Sequence, residues 1–194
     1  MKKQEVQQIA LFNRPAPAHD PGGKTMIALP PGVRGDWVIS PCKRYRYELI
    51  RVWNESLPIL LMIGMNPSTA DPNFDDPTIN KGRRYAISWG FGTMLMGNVF
   101  AYRATDQKRL LEVSDPIGPD NDKHLLAMTD RAELILFAYG SPDKSLLYRG
   151  PQVARMLAQR HAHKLHVLEL SKYGVPKHPL YLKSFLKPIP WSPE

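Results

Sequence analysis

Cysteine is almost missing from this chain: 194 residues carry one, Cys42. That excludes an internal disulfide and any zinc or iron–sulfur site built on several thiolates. Long apolar runs are missing too. The longest, Leu57-Pro58-Ile59-Leu60-Leu61-Met62-Ile63-Gly64-Met65, falls well short of the roughly 20 residues that span a bilayer. The start, Met1-Lys2-Lys3-Gln4-Glu5, is charged with no apolar segment behind it, unlike a secretory signal. Gly90-Phe91-Gly92 lacks the third glycine of a dinucleotide loop, and no Gly-Lys-Ser/Thr phosphate loop occurs. Together these absences lead us to expect a soluble, cytoplasmic protein with no membrane partner, no cofactor and no metal.

What is present is enough for one folded domain. The length suits a single domain, and 43% hydrophobic with 9% aromatic residues can bury a core. Basic residues outnumber acidic ones, 26 to 18, for a net charge of +8. They are distributed unevenly: residues 51–122 hold seven basic and nine acidic groups, while both flanks are basic. A basic protein with an acidic centre suits a polyanion gripped around a carboxylate-bearing site.

Residues 1–35 are rich in proline and glycine with little apolar periodicity, which predicts an extended or flexible arm before a single domain over 36–194. Trp37 to Ser40 fits a short strand. Arg44-Tyr45-Arg46-Tyr47 mixes basic and aromatic residues, as a segment would that tracks a nucleic-acid backbone or begins an amphipathic helix. Continuous apolar runs at 59–65, 94–100, 134–138 and 165–170 predict buried strands. Helical patterns fall at 78–89, 106–113, 120–130 and 152–161. Such alternation predicts an α/β fold of three layers, α/β/α, around a central four-stranded parallel sheet. Ligands in such folds sit beyond the carboxyl ends of the strands, which singles out the loops 66–76, 101–105, 139–145 and 171–181.

The most distinctive of these begins at a strand end, Gly64-Met65-Asn66-Pro67-Ser68-Thr69-Ala70-Asp71, followed by Asp75-Asp76-Pro77-Thr78. Asn66 can aim a carboxamide into a cleft, Pro67 stiffens the turn, and Ser68 and Thr69 offer hydroxyls to a phosphate. Asp71, Asp75 and Asp76 are candidate general bases, or, for the last two, caps of the following helix. His161, His163 and His166 surround Lys164. The first two fall at a helix end, where cations favour the dipole, and we assign them no metal. Cys42 has no local base and reads as an incidental thiol.

Several of these segments together resemble a bacterial and phage family marked by a Leu-Asn-Pro-Ser-Thr-Ala-Asp signature. The resemblance is carried by 62–71, Asp76-Pro77-Thr78, Asn98 to Thr105, Ile117 to Asn121, Arg44 to Tyr47 and His178-Pro179-Leu180-Tyr181, and it covers about 42–182. Met65 stands where that family usually has Leu, and Tyr139-Gly140 where Trp-Gly is common. More remotely the layout is similar to the uracil-DNA glycosylase superfamily, above all its mismatch-specific branch. There a strand ending in Gly-x-Asn-Pro positions a water, and a later His-Pro-Ser or Asn-Pro-Ser loop contacts the base. Gly64-Met65-Asn66-Pro67 matches the first motif and His178-Pro179 the second, although Leu180 stands in place of the serine.

The remoter resemblance implies a DNA glycosylase that flips a modified, damaged or mispaired base from DNA and hydrolyses its N-glycosidic bond. Asn66 with Asp71 or Asp76 would hold the water, and His178 would donate to the base. Gly64, Met65, Pro67, Ser68 and Thr69 would shape the substrate pocket. Tyr102, Tyr139 and Tyr181 would stack on the base, with Arg103 holding a phosphate beside them. Arg44, Arg46, Lys172 and Lys177 would grip the DNA, with the protein acting as a monomer. The rival expectations are an enzyme of free nucleotides or nucleosides using the same pocket, and a module that binds an unusual base without cutting it.

Overall fold

The apolar runs and helical patterns become nine strands and three α-helices in the computed structural model, which describes residues 25–193. The strands are β1 Ile27–Ala28, β2 Arg34–Ile39, β3 Arg46–Val52, β4 Ile59–Gly64, β5 Phe74–Asp75, β6 Thr93–Asn98, β7 Leu134–Phe137, β8 Leu165–Val167 and β9 Ile189–Pro190. The helices are α1 Pro77–Ser88, α2 Asn121–Arg131 and α3 Arg149–His161.

Seven strands form one mixed sheet in the order β2-β3-β6-β4-β7-β8-β9. The central β6, β4, β7 and β8 run parallel, while β2 and β3 on one edge and β9 on the other are antiparallel. The sheet is thus wider than the expected four strands. The added strand β3 carries Arg46, Glu48 and Arg51, all buried. Those charges interrupt the apolar pattern by which a buried strand is recognised. The segment from Arg44 is therefore no helix start: a tight turn at 41–44 leads straight into β3.

The alternation of a strand sends successive side chains to opposite faces. In β4, Leu61 and Ile63 join a core with Leu125 and Met128 of α2 and Val153, Ala154 and Leu157 of α3. Leu60 and Met62 join the opposite core with Ile79, Tyr85 and Ala86 of α1. All four β4 side chains are fully buried, each worth about 1.5–3 kcal/mol relative to exposure. Helices therefore cover both faces, and β4, like β6 and β7, contributes to both cores.

Three departures concern the site's surroundings. The pattern at 106–113 forms only a short 3-10 turn, Gln107–Leu111, behind an Asp106 side chain that caps Lys108 N–H. Helix α3 begins three residues early, at Arg149, whose buried guanidinium donates to Val99 O at 2.9 Å and pairs with Asp122. Of the proline-rich stretch expected to be an arm, residues 1–24 lie outside the described residues. Within 25–35, β1 pairs antiparallel with β5, and β2 already starts at Arg34.

The chain after β8 folds back over the carboxyl ends of the strands and is clipped to α1. Lys81 Nζ donates to Leu180 O at 3.1 Å and also to Leu182 O. The Tyr85 hydroxyl donates to Lys183 O at 2.6 Å, and Trp89 Nε1 to Leu186 O at 3.1 Å. Among the described residues no helix is long and apolar enough to cross a membrane.

Candidate functional site

Beyond the last residues of β4 and β6 lies a cavity of about 100 Å³. Gly64, Met65, Asn66 and Ser68 enter it from the β4 turn, Asp76 and Thr78 from the start of α1, and Asn98 from β6. Arg46 lines it from β3, Ala104 and Thr105 from the loop after β6, and His178 from the clipped segment. Larger depressions exist, of about 690 Å³ beside β1 and β2, about 650 Å³ between Tyr139 and Trp191, and about 130 Å³ beside Lys81 and Tyr85. None of these brings together the Asn66 carboxamide, the Asp76 carboxylate and the His178 imidazole singled out in the sequence, so the small cavity is the one that matters chemically.

Asn66 is oriented by its surroundings. Its Nδ2 donates to Ala104 O at 2.7 Å and to Pro67 O at 3.1 Å. Only the NH2 end can serve two carbonyls, so Oδ1 is left as the acceptor of this side chain. Pro67 stays outside the cavity, where its carbonyl also receives Ala104 N–H at 2.9 Å and ties the β4 turn to the loop after β6.

Asp76 serves two ends. Its Oδ1 accepts from Thr78 N–H at 2.8 Å and Ile79 N–H at 2.9 Å, capping α1, while the same carboxylate lines the cavity. Pro77 at the first helical position needs no such partner, having no N–H. Asp71 lies off the cavity, its Oδ1 closing a turn onto Asn73 and Phe74 N–H. Asp75 is fully buried between Arg51 Nε at 2.8 Å and Arg83 Nε at 3.1 Å, a structural ion cluster.

Asn98 was not singled out from the sequence, and it is the most unusual group present. It is 1% exposed, and among the described residues neither Nδ2 nor Oδ1 has a hydrogen-bond partner. A buried amide without partners costs free energy. Gly64 makes room for it: a Cβ there would sit 2.9 Å from Asn98 Oδ1 and would overlap Met96. The available signal was a carboxamide ending an otherwise apolar strand at its carboxyl end, next to the Gly64 strand end. Ser68 Oγ and Arg46 Nε are likewise buried and unpartnered at this cavity.

Arg46 was expected on the DNA-gripping surface. Instead it is 2% exposed, and burial draws its guanidinium down to about 10 despite the attraction of Asp76. Its NH1 donates to Ala70 O at 2.7 Å. Arg44 lies on the exposed 41–44 turn, where the Ser40 hydroxyl, and after it the Arg44 side chain, draw the Cys42 thiol down to about 7.

His178 sits where the clipped segment meets the end of β7. Its Nδ1 accepts from Leu180 N–H at 3.3 Å, which places the proton of the neutral ring on Nε2. Gly140, with φ +73°, packs against it so closely that a Cβ would lie 3.0 Å from His178 Cβ. Tyr181 follows, 85% exposed, with its ring 5.6 Å from the imidazole.

The other expected contacts lie elsewhere. Tyr102 is buried in the core and meets Tyr45 edge-on at 5.9 Å. Tyr139 is buried against Phe137 and Gly150, and burial lifts its phenol to about 12. Arg103 stacks over Trp37 at 5.3 Å and donates to Lys43 O, with burial lowering its pKa. Thr69 Oγ1 is buried without a partner, away from the cavity lining. Lys172 is exposed over Tyr173, and Lys177 is exposed and paired with Glu169 at 2.8 Å. His161 bonds Asp130 at 2.9 Å and His166 bonds Lys164 O at 2.8 Å. Among the described residues no three His, Cys, Asp or Glu gather to hold a metal ion.

The arrangement defines an α/β protein with one polar cavity at the carboxyl ends of parallel strands, holding an oriented amide, an unpartnered amide, a carboxylate and an imidazole. The chain belongs to the family described as protein of unknown function (DUF1643), whose model matches residues 46–180. That span includes every residue lining the cavity. No curated protein and no solved structure matches the chain.

Proposed function

We propose that this protein is a DNA glycosylase of the uracil-DNA glycosylase fold, hydrolysing the bond between the sugar and a modified, damaged or mispaired base turned into the cavity. The observation that carries the reading is the Asn98 carboxamide, buried with both its donor and its acceptor unpartnered. An adjacent donor and acceptor match the edge of a nucleobase, and a base supplies the bonds the protein does not. The cavity's roughly 100 Å³ suits a single ring; pockets for larger ligands run to about 300–1,000 Å³.

The parallel order β6-β4-β7-β8 supports the fold, with the first motif after β4 and the second after β8. Asn66 Oδ1 accepts from the attacking water, and Asp76 takes its proton. The water oxygen bonds to the anomeric carbon as the glycosidic bond breaks, and the bonding pair leaves with the base. The proton taken from water ends on the base nitrogen, so water is divided between the abasic sugar and the free base. His178 Nε2–H donates to a base oxygen. Tyr181, exposed beside it, stacks against the opened duplex, and Lys172 and Lys177 meet phosphates.

The test is incubation with duplexes and single strands carrying uracil, substituted pyrimidines, or alkylated and deaminated purines, followed by alkaline cleavage of abasic sites. Cleavage at one base that disappears in Asn66→Ala is expected; cleavage persisting in Asn66→Ala with Asp76→Asn overturns the mechanism. One observation favours a module that binds without cutting: Asp71 and Asp76 both commit an oxygen to backbone N–H groups. Tight binding to one modified base with no product on long incubation selects that reading.

A further inference from the structure

Arg46 poses a problem that the excision reading leaves unsolved. A fully buried guanidinium is normally matched by a carboxylate, because an uncompensated buried charge is costly. Among the described residues Arg46 has no ion pair. One carbonyl, Ala70 O, accepts from its NH1, and its buried Nε has no partner at all. The carboxylates that attract it make their hydrogen bonds to other groups: Asp71 holds the Asn73 and Phe74 N–H groups, and Asp76 caps α1 through Oδ1. Arg46 nevertheless lines the cavity together with Asn98 and Ser68, each with an unpartnered buried polar atom. Burial lowers its pKa only to about 10, so it stays charged at neutral pH. A cavity with a permanently charged guanidinium that makes no ion-pair contact, beside an unpaired carboxamide, is complementary to one kind of occupant.

We propose that the cavity binds its heterocycle as an anion, with the Arg46 guanidinium as counter-ion and the Asn98 carboxamide on a ring edge that presents N–H beside C=O. This deepens the excision reading and rests on it for one point alone, that the anion is the departing base. In the glycosidic step the bonding pair moves onto the ring nitrogen, and Arg46 meets the charge as it develops. A phosphate fits less well. The Asp76 carboxylate lines the same space and would repel a compact dianion more strongly than a ring that spreads a single charge over several atoms.

The test uses free rings and the full chain, without DNA. Barbiturate is a pyrimidine that is anionic at neutral pH and keeps N–H beside C=O; uracil has the same ring and is neutral. Isothermal titration is expected to show barbiturate binding at least about tenfold tighter than uracil. Arg46→Lys should retain most of that preference and Arg46→Met should remove it, while Asn98→Ala should weaken both ligands. Equal affinity for the two rings, no detectable binding of barbiturate, or tighter binding of inorganic phosphate each overturns the proposal. Should Arg46→Met fail to fold, the wild-type ratio decides alone. The outcomes separate from those of the excision assay. A wild type that cleaves no base yet prefers barbiturate through Arg46 keeps the charge assignment and defeats glycosylase activity. A protein that cleaves DNA but shows no preference does the reverse.

Discussion

Arg46 and Arg51 leave the same strand five residues apart, both buried, and end in opposite surroundings. Arg51 has a carboxylate, Asp75, at 2.8 Å, and also donates to the carbonyls of Ile50, Asp71 and Phe74. Arg46 has a single carbonyl. Around Arg51 every guanidinium nitrogen has a partner, and Asp75 is shared with Arg83. Around Arg46 the needs accumulate: its own Nε, both ends of Asn98 and the Ser68 hydroxyl. Burial is the same in both places, so burial does not separate a structural charge from a functional one. Saturation of the hydrogen bonds does.

The comparison breaks most visibly at Asp75. Asp75→Ala strands two buried guanidinium groups at once and is expected to cost about 3–5 kcal/mol, read as a lower urea midpoint. A loss under about 1 kcal/mol would mean that the Arg51 cluster is no more saturated than the cavity.

Tyr139 tests a third strategy, burial in the neutral form. Its phenol, lifted by burial to about 12, favours the folded state fully below pH 10, and that contribution fades as pH rises toward 12. Arg46 acts in the opposite sense. Its guanidinium, lowered to about 10, binds its proton less tightly in the folded chain, so its effect on stability grows more favourable as pH rises above about 10. Tyr139→Phe should therefore remove a decline on the order of 2–3 kcal/mol between pH 10 and 12. Parallel stability–pH curves for the two proteins would contradict this assignment.

Asp76 stands between the two classes, and its variants separate the roles. Asp76→Ala loses the cap and should cost about 1 kcal/mol of stability; Asp76→Asn keeps a good cap and should cost little. If the cavity uses the charge, both lose activity equally despite their different melting temperatures.

The smallest effect on stability is expected at Asn98. Its carboxamide has no hydrogen-bond partner among the described residues, so Asn98→Ala breaks no bond and should leave the unfolding midpoint unchanged or slightly raised. The same change should lower turnover about 10²–10³-fold if the amide meets the charge that develops on the base. A large stability loss would place Asn98 with Arg51 rather than with Arg46.

The parts of the fold that could be read in the sequence are those where one physical signal dominates. β4 and β7 are continuous apolar runs because both their faces are covered, and α1 announces itself through Asp76 and Pro77. β3 could not be read in the same way. Its Arg46, Glu48 and Arg51 look like surface residues until the sheet supplies an Asp75 for one and a cavity for another. The same blindness hid Asn98, which looked like the polar end of a strand, and turned Arg46 into a surface contact. Tyr102 and Tyr139 were misleading in the other direction, since sitting at a strand end does not decide whether a ring turns to the cleft or to the core.

The clip between α1 and the returning chain has a consequence for how this protein can change. Lys81, Tyr85 and Trp89 all hold carbonyl oxygens, at Leu180, Leu182, Lys183 and Leu186. They grip the path of the backbone and are indifferent to its side chains. Tyr181, Lys183 and Phe185, pointing outward from the gripped stretch, can therefore be exchanged while His178 stays in position. That makes the stretch following His178 a variable surface on a fixed frame, the natural place to select new specificity from a library.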